Sequence, residues 1–128
     1  MRILLDTVTF LWAVSDAPEL SDYARELLQD PDNEVYLSSV STWEIAIKHA
    51  LRKLPLPQPA AKFVPTERKR HGIDSLSLDE EATLYLSRLP LLHRDPFDRM
   101  LVCQAVVQHL AIMTPDELID QYPVRTIW

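Results

Sequence analysis

Apolar residues along this chain recur with two different periods, and the two alternate. RILL (2–5) reads as a continuous apolar run, the mark of a strand buried on both faces. Asp6-Thr7 ends it, and TFLWAV then reads helical. SDYARELLQD (21–30) is amphipathic, with Tyr23, Leu27 and Leu28 on one stripe and Ser21 placed to cap it. Pro31-Asp32-Asn33 is turn chemistry. VYLS (35–38) is a second β-rich run. SVSTWEIAIKHALRKL (39–54) spaces Trp43, Ile47, Ala50, Leu51 and Leu54 as one face of a helix. PLPQP (55–59) is an extended hinge, because each proline disfavours helix in the residue before it.

Beyond the hinge the alternation continues. AAKFVPTERKRHG (60–72) predicts a weaker helix ended by the only glycine, and IDSLSL (73–78) a third strand. DEEATLYLSRL (79–89) predicts a short helix capped by Asp79, and PFDRMLVCQAVVQHL (96–110) a longer one. AIMT (111–114) is a fourth strand, PDELIDQY a helix of one or two turns, and VRTIW (124–128) a final edge strand. No repeat or low-complexity tract interrupts this order. Strands alternating with helices imply a mainly parallel sheet of about five strands inside a three-layer α/β/α sandwich. Its 128 residues fit a single domain spanning 1–128.

Topology then places the acids. In such a sandwich the helices run against the strands, so a helix just after or just before a strand begins at the strand's C-terminal edge. Asp6 ends strand one. Glu44 lies in the first turn after VYLS, Asp98 in the first turn of the helix feeding AIMT, and Asp116 two residues beyond AIMT. All four fall on one rim, where open α/β sheets bind ligands at the crevice of reversed strand order. Each acid taken alone also has a structural reading. Asp95-Pro96-Phe97-Asp98 resembles a capping pattern, Ser41-Thr42-Trp43-Glu44 fits a capping box, and Thr114-Pro115-Asp116-Glu117 fits another. Together, carboxylates crowded on one rim raise one another's pKa values unless a cation compensates. A hard divalent ion such as Mg²⁺ takes oxygen ligands from one or two carboxylates plus waters and phosphate. Asp95 is therefore assigned to helix initiation and Asp98 to metal.

Composition narrows the chemistry. Apolar residues make up 47%, so a packed core is expected. The net charge of −6 disfavours a broad nucleic-acid surface, although position matters more than the total. One cysteine, Cys103, lies in an apolar run, which excludes an intrachain disulfide and suits a reducing cytoplasm. The N-terminus has an acid at position 6 and short apolar runs, so it reads as neither signal peptide nor membrane span. With a single glycine there is no phosphate-cradling glycine loop, which disfavours Rossmann or P-loop nucleotide binding.

LLDT, a W-E-I-A helix, HRDPFDRMLVCQA and a T-x-D-E after a late strand together resemble the PIN domain, and more narrowly the VapC group of bacterial toxin ribonucleases. The resemblance runs from residue 2 to residue 128, and DPFDRML with its downstream T-x-D is its most specific part. It implies a Mg²⁺- or Mn²⁺-dependent endoribonuclease, an RNA substrate, a cognate antitoxin encoded beside it, and a homodimer. Carried over by position, the acidic quartet is Asp6, Glu44, Asp98 and Asp116. Thr7 and Thr114 fall where family members carry a hydroxyl near the metal, and Arg99 is placed to touch substrate or antitoxin. Val8 and Pro115 depart from the polar residues common at those positions; proline also removes a backbone donor.

The implied reaction is metal-assisted hydrolysis of an RNA phosphodiester, with Asp6 and Asp98 nearest the ion and Glu44 and Asp116 acting through water or a second ion. His93 precedes the cap and can approach the rim; it and the other histidines read as surface or packing residues. Lys48, one turn beyond Glu44, suits an intrahelical pair as well as a phosphate contact. ERKRH (67–71) reads first as a solvated helix face, and Trp12, Trp43 and Trp128 as core. Helices 7–14 and 21–30 carry apolar residues that suit a groove for a partner helix or ordinary packing equally. Two rival functions remain: a catalytically idle PIN-like binding protein, and a phospho-receiver-like signalling domain. Against the receiver, Asp6 stands single after strand one and no lysine follows residue 69.

Overall fold

The computed structural model describes residues 1–128. Its elements follow the predicted order: β1 (Arg2–Leu5), α1 (Thr7–Val14), α2 (Asp22–Gln29), β2 (Glu34–Ser38), α3 (Ser39–Ala50), α4 (Ala60–Arg70), β3 (Asp74–Leu76), α5 (Glu80–Tyr85), α6 (Pro96–Gln108), β4 (Ala111–Met113), α7 (Glu117–Asp120) and β5 (Thr126–Ile127). A 3-10 turn over Leu86–Arg88 extends α5. The five strands form one parallel sheet in the order β3-β2-β1-β4-β5. The chain moves outward from β1 to β2 and β3, then crosses back to β4 on the other side. Strand order therefore reverses at the β1/β4 pair, and the crevice opens there.

Alternation along β1 builds the core on both faces. Ile3 and Leu5 point to one layer with Phe10, Ala24, Phe63 and Met113. Leu4, between them, points to the other layer with Leu101, Val102, Ile112 and Ile119. The register keeps each layer in line across three strands, since Leu5 lies beside both Leu37 and Met113, and Leu4 beside both Tyr36 and Ile112. Cys103 is free and buried in the second layer, and burial pushes its thiol pKa up, so it is a packing residue. No helix is long and apolar enough to cross a membrane.

Helix α3 departs from its expected face. The strand passes into it without a loop, and Ser38, the last residue of β2, is its cap, accepting from the Val40 N–H at 3.0 Å. The expected box starting at Ser41 therefore does not form. Ser41 and Glu44 lie within the helix and are buried, while Trp43 is 60% exposed. Glu44 accordingly sits in the second turn, not the first. The helix straddles the sheet edge, sending Val40 into one layer and Ile45 into the other. That position leaves the Ser41–Glu44 strip facing the crevice between α1 and α6.

Side-chain caps explain the other starts except that of α4, which follows Pro59 without one. Ser21, Asp79 and Asp95 cap α2, α5 and α6 as expected. Asp95 Oδ1 accepts from the N–H groups of Phe97 and Asp98 at 2.9 and 3.0 Å, with Pro96 at the first helical position. Thr114 does not head a capping box. Its hydroxyl accepts from the Asp116 N–H at 3.0 Å, and Asp116 itself caps α7 through the Leu118 N–H at 2.9 Å. Gly72 follows α4 with φ +66, letting Ile73 N–H reach the Arg68 carbonyl at 2.9 Å and close the helix end.

Candidate active site

Asp6 is held from both sides. It ends β1, caps α1 through Oδ1 and the Thr9 N–H at 2.9 Å, and takes the Thr114 hydroxyl on Oδ2 at 2.6 Å. The second bond ties β1 to β4 across the crevice, where the Asp6 N–H also reaches the Met113 carbonyl at 3.3 Å. Asp6 is only 3% exposed. Burial raises its carboxyl pKa, the bonds from Thr114 and Thr9 oppose the rise, and the charge of Asp116 adds to it.

Glu44 is held by a different set. Thr7, the first residue of α1, donates its hydroxyl to Glu44 Oε1 at 2.6 Å, with Ser41 Oγ 3.0 Å from the same oxygen of Thr7. The other carboxylate oxygen, Oε2, pairs with Lys48 one turn on. That pair raises the Lys48 pKa, and Asp95 and Asp98 add to the effect against partial burial. The intrahelical reading of Lys48 therefore holds, and the lysine also places a positive charge at the edge of an acidic rim.

Asp98 is the least engaged of the four. It lies in the first turn of α6, with Asp95 serving the helix start. No hydrogen bond reaches its carboxylate; His93 Nε2 stands 3.5 Å from Oδ2. Its pKa is pushed up from 3.8 to about 7, first by burial and then by the charges of Asp95, Asp6, Glu44 and Asp116. Three carboxylates distant in sequence, with Asp95 three residues away, thus act on one group through space. Asp116 caps α7 on the same rim.

Not every candidate joins this group. The Arg99 guanidinium turns away toward the seam beside Leu89, bonding that carbonyl at 3.4 Å. It lines a small depression with Trp43, Arg94 and Met100. The basic run 67–71 ends α4 at the opposite edge of the sheet and spends part of its charge on Glu67. Trp43, expected in the core, is instead exposed and packs edge-on against Phe97 with centroids 5.2 Å apart. Trp12 and Trp128 are partly buried against each other. Ser41 and Tyr122 carry no sequence signal for the site: Ser41 sits in a capping-box pattern, and Tyr122 meets the site only through a contact 29 residues away in sequence.

The donor set suits a hard divalent ion. It is all carboxylate and hydroxyl oxygen, and the Asp98 carboxylate is burdened by like charges that a cation would relieve. No three His, Cys, Asp or Glu side chains stand close enough together to hold an ion among them. The reason is visible in the bonds above: Asp6 and Glu44 are drawn toward hydroxyl, N–H and ammonium partners. An ion that keeps several of its waters needs only one or two direct carboxylates.

Residues 3–124 match the family model described as PIN domain. The chain belongs to the PIN domain family. Over 69 residues it is 41% identical to Ribonuclease VapC16 of Mycobacterium tuberculosis (strain ATCC 25618 / H37Rv), a match that covers 54% of this chain and 49% of that protein. The chain thus spans about half the length of that curated relative. Among solved structures it is similar to VapBC2 from Rickettsia felis bound to a DNA fragment from their promoter, with a TM-score of 0.76 and 17% identity over 99% of this chain and 98% of that one. It is also similar to DNA-bound VapBC from Salmonella typhimurium, with a TM-score of 0.69 and 18% identity over 99% and 97% of the two chains. At these identities the structural likeness concerns the fold.

Proposed function

We propose that this chain is a divalent-metal-dependent endoribonuclease, hydrolysing RNA phosphodiester bonds as the toxin of a toxin–antitoxin pair. The observation that carries the reading is geometric: the β1/β4 rim gathers Asp6, fixed by Thr114 and the Thr9 N–H, Glu44, fixed by Thr7, and Asp98, whose carboxylate no hydrogen bond occupies; the upward push on the Asp98 pKa agrees with that crowding. Such a cluster is costly to a fold and is expected where ion chemistry needs it. Sequence likeness to a protein named a ribonuclease supports the same reading.

Asp98 and Asp6 would hold a Mg²⁺ or Mn²⁺ ion, with Glu44 and Asp116 acting through water. The ion, when bound, supplies charge stabilisation at the phosphoryl oxygens and a lowered pKa for bound water. The chain's own residues supply position. Thr114 and the Thr9 N–H lock the Asp6 carboxylate, and Thr7 fixes Glu44. Lys48 offsets part of the acidic charge that would otherwise repel an RNA phosphate. Hydrolysis adds water across a phosphorus–oxygen bond. The water oxygen joins phosphorus, and the leaving ribose oxygen takes up a proton.

Two partners belong to the proposal. A cognate antitoxin would insert a cationic side chain toward the acidic rim or lay an apolar segment along the cleft between α1 and α2. That cleft holds about 230 Å³ and is lined by Ala13, Leu20, Leu28 and Ile73 beside the Arg25–Asp16 pair. A second copy of the chain would cover apolar surface left open at Trp43, Leu84 and Leu91.

The test is direct. Metal-stripped protein is incubated with RNA, then given Mg²⁺ or Mn²⁺. Cleavage that starts with the ion and vanishes in Asp6→Asn and Asp98→Asn is expected. Intact RNA under every ion, with antitoxin binding retained, would move the assignment to an idle binding module.

A further inference from the structure

We propose that Tyr122 and His93 form a fixed-tautomer clamp that positions the Asp98 carboxylate, a role resting on the reading of Asp98 as an ion ligand. The starting point is a hydrogen count at one phenol. Tyr122, just beyond α7, is 3% exposed. Its hydroxyl oxygen lies 3.3 Å from the Leu92 N–H nitrogen, 3.1 Å from that of His93, and 2.7 Å from His93 Nδ1. Backbone N–H groups only donate, so the phenol oxygen accepts from both. Its single hydrogen is then left for Nδ1, which must accept. A neutral imidazole that accepts at Nδ1 carries its proton on Nε2. The opposite tautomer would crowd a third donor onto the phenol oxygen and leave the hydroxyl hydrogen buried without an acceptor.

The far nitrogen completes the clamp. His93 Nε2 is buried and has no hydrogen-bond partner, and the side chain is 8% exposed. It stands 3.5 Å from Asp98 Oδ2. That spacing is longer than a good N–H···O bond. The unpartnered donor therefore stands where a small turn of the carboxylate would bring it into a full bond, while in the present geometry the carboxylate is free to turn toward a cation. The same phenol ties down the backbone that carries His93, so loop, ring and carboxylate are positioned by one hydroxyl from the other end of the chain. Groups that orient metal ligands in this way set affinity without touching the ion.

The test has readouts beside catalysis. Nitrogen-15 NMR of the metal-free protein should show His93 as the Nε2–H tautomer, and Tyr122→Phe, which keeps the ring packing, should shift it toward Nδ1–H. Mn²⁺ affinity, read by electron paramagnetic resonance without RNA, should fall about 10- to 100-fold in Tyr122→Phe and in His93→Ala. His93→Gln, which keeps an N–H donor, should recover part of that loss. RNA cleavage should lose kcat with little change in KM. An Nδ1–H tautomer in the unaltered protein, Mn²⁺ affinity unmoved by the substitutions, or equal loss in His93→Gln and His93→Ala would each overturn the clamp, as would an unaltered protein that binds no Mn²⁺. Normal tautomer and Mn²⁺ results with no RNA cleaved would sink the ribonuclease reading and leave the clamp standing. Should Tyr122→Phe fail to fold, the tautomer of the unaltered protein and the two His93 variants decide alone.

Discussion

Helices α1 and α6 both begin on the acidic rim, and they use their acids differently. At α1 a single side chain does two jobs. Asp6 caps the helix and faces the crevice, with one oxygen on the Thr9 N–H and the other on the Thr114 hydroxyl. At α6 the jobs are divided. Asp95 takes the N–H groups, and Asp98, three residues on, keeps a carboxylate that no hydrogen bond occupies. A helix N-terminus favours negative charge by only a few tenths to about 1 kcal/mol. That is too little to offset the burial and four like charges that lift Asp98 to about 7. The difference teaches that capping accounts for one acid per helix start, and the second acid at α6 needs another reason to be there.

The strongest way to break this comparison is to remove each charge while keeping its shape. Asparagine caps nearly as well as aspartate. Asp6→Asn should therefore fold, as should Asp98→Asn, where no hydrogen bond is lost, and both should lose RNA cleavage by on the order of 1000-fold, a loss of roughly 4 kcal/mol of transition-state stabilisation. A steady-state assay in saturating Mg²⁺ reads this out. If only Asp98→Asn were inactive, Asp6 would be a cap and nothing more.

Stability without metal should separate the two helices next. The unfolded chain loses its Asp98 proton near 3.8, and the folded chain near 7. Between those values the folded state binds more protons, so this group's contribution to stability falls as pH rises, and the full penalty holds above 7. Asp6, raised in the same direction by burial, adds to the fall. Chemical denaturation of metal-free protein should show lower stability at pH 8 than at pH 5. Asp98→Asn should flatten that slope and gain on the order of 1–3 kcal/mol at pH 8. Added Mg²⁺ should stabilise the unaltered protein more at pH 8 than at pH 5, since the ion competes with the proton.

Alanine at the two caps should rank the other way. Asp6→Ala strands the Thr9 N–H and the Thr114 hydroxyl in a buried place, for a loss of about 2–3 kcal/mol. Asp95→Ala leaves two N–H groups unpaired in the partly exposed first turn of α6, for about 1 kcal/mol. It also removes the largest like charge acting on Asp98, so the acid limb of the pH–rate profile should move down.

How much of this was readable beforehand differs along the chain. The sheet and the rim follow from periods and order, because apolar runs and turn residues mark the strands whatever packs on them. Asp95 as cap and Asp98 as the surplus acid were legible for the same reason, since proline at the first helical position sets the frame. Helix α3 was not. Its apolar residues do fall at helical spacing, but β2 runs into it without a loop, so the frame is set by Ser38 and turns Ser41 and Glu44 inward and Trp43 outward. Arg99 follows Asp98 directly and is expected to touch substrate or antitoxin, yet neighbours in a helix point about 100° apart, and its guanidinium goes to the Leu89 carbonyl. The bonds that hold the site, Thr7 to Glu44 and Tyr122 to His93, join residues far apart in sequence with no local signature.

The far ends of the same two helices give the smallest and cleanest comparison. Both close on a non-glycine residue in the left-handed region, Asp16 at φ 51 after α1 and His109 at φ 57 after α6. Asp16 is compensated by its pair with Arg25. His109 is exposed, makes no side-chain hydrogen bond, and serves only to let the Leu110 N–H reach the Ala105 carbonyl at 2.9 Å. A left-handed residue with a Cβ costs roughly 1–2 kcal/mol, and the looser unfolded chain of a glycine variant returns about 0.5–1 of that. His109→Gly should therefore stabilise the protein by about 0.5 kcal/mol, and Asp16→Gly by less, because its ion pair is lost. Neither residue lies on the acidic rim, so neither change should alter RNA cleavage. Thermal melts against rates for the two variants test whether helix stability and rim chemistry are separable in α6. A rate loss in His109→Gly would mean that the pitch of the whole helix, and not the surplus acid at its start, sets where Asp98 stands.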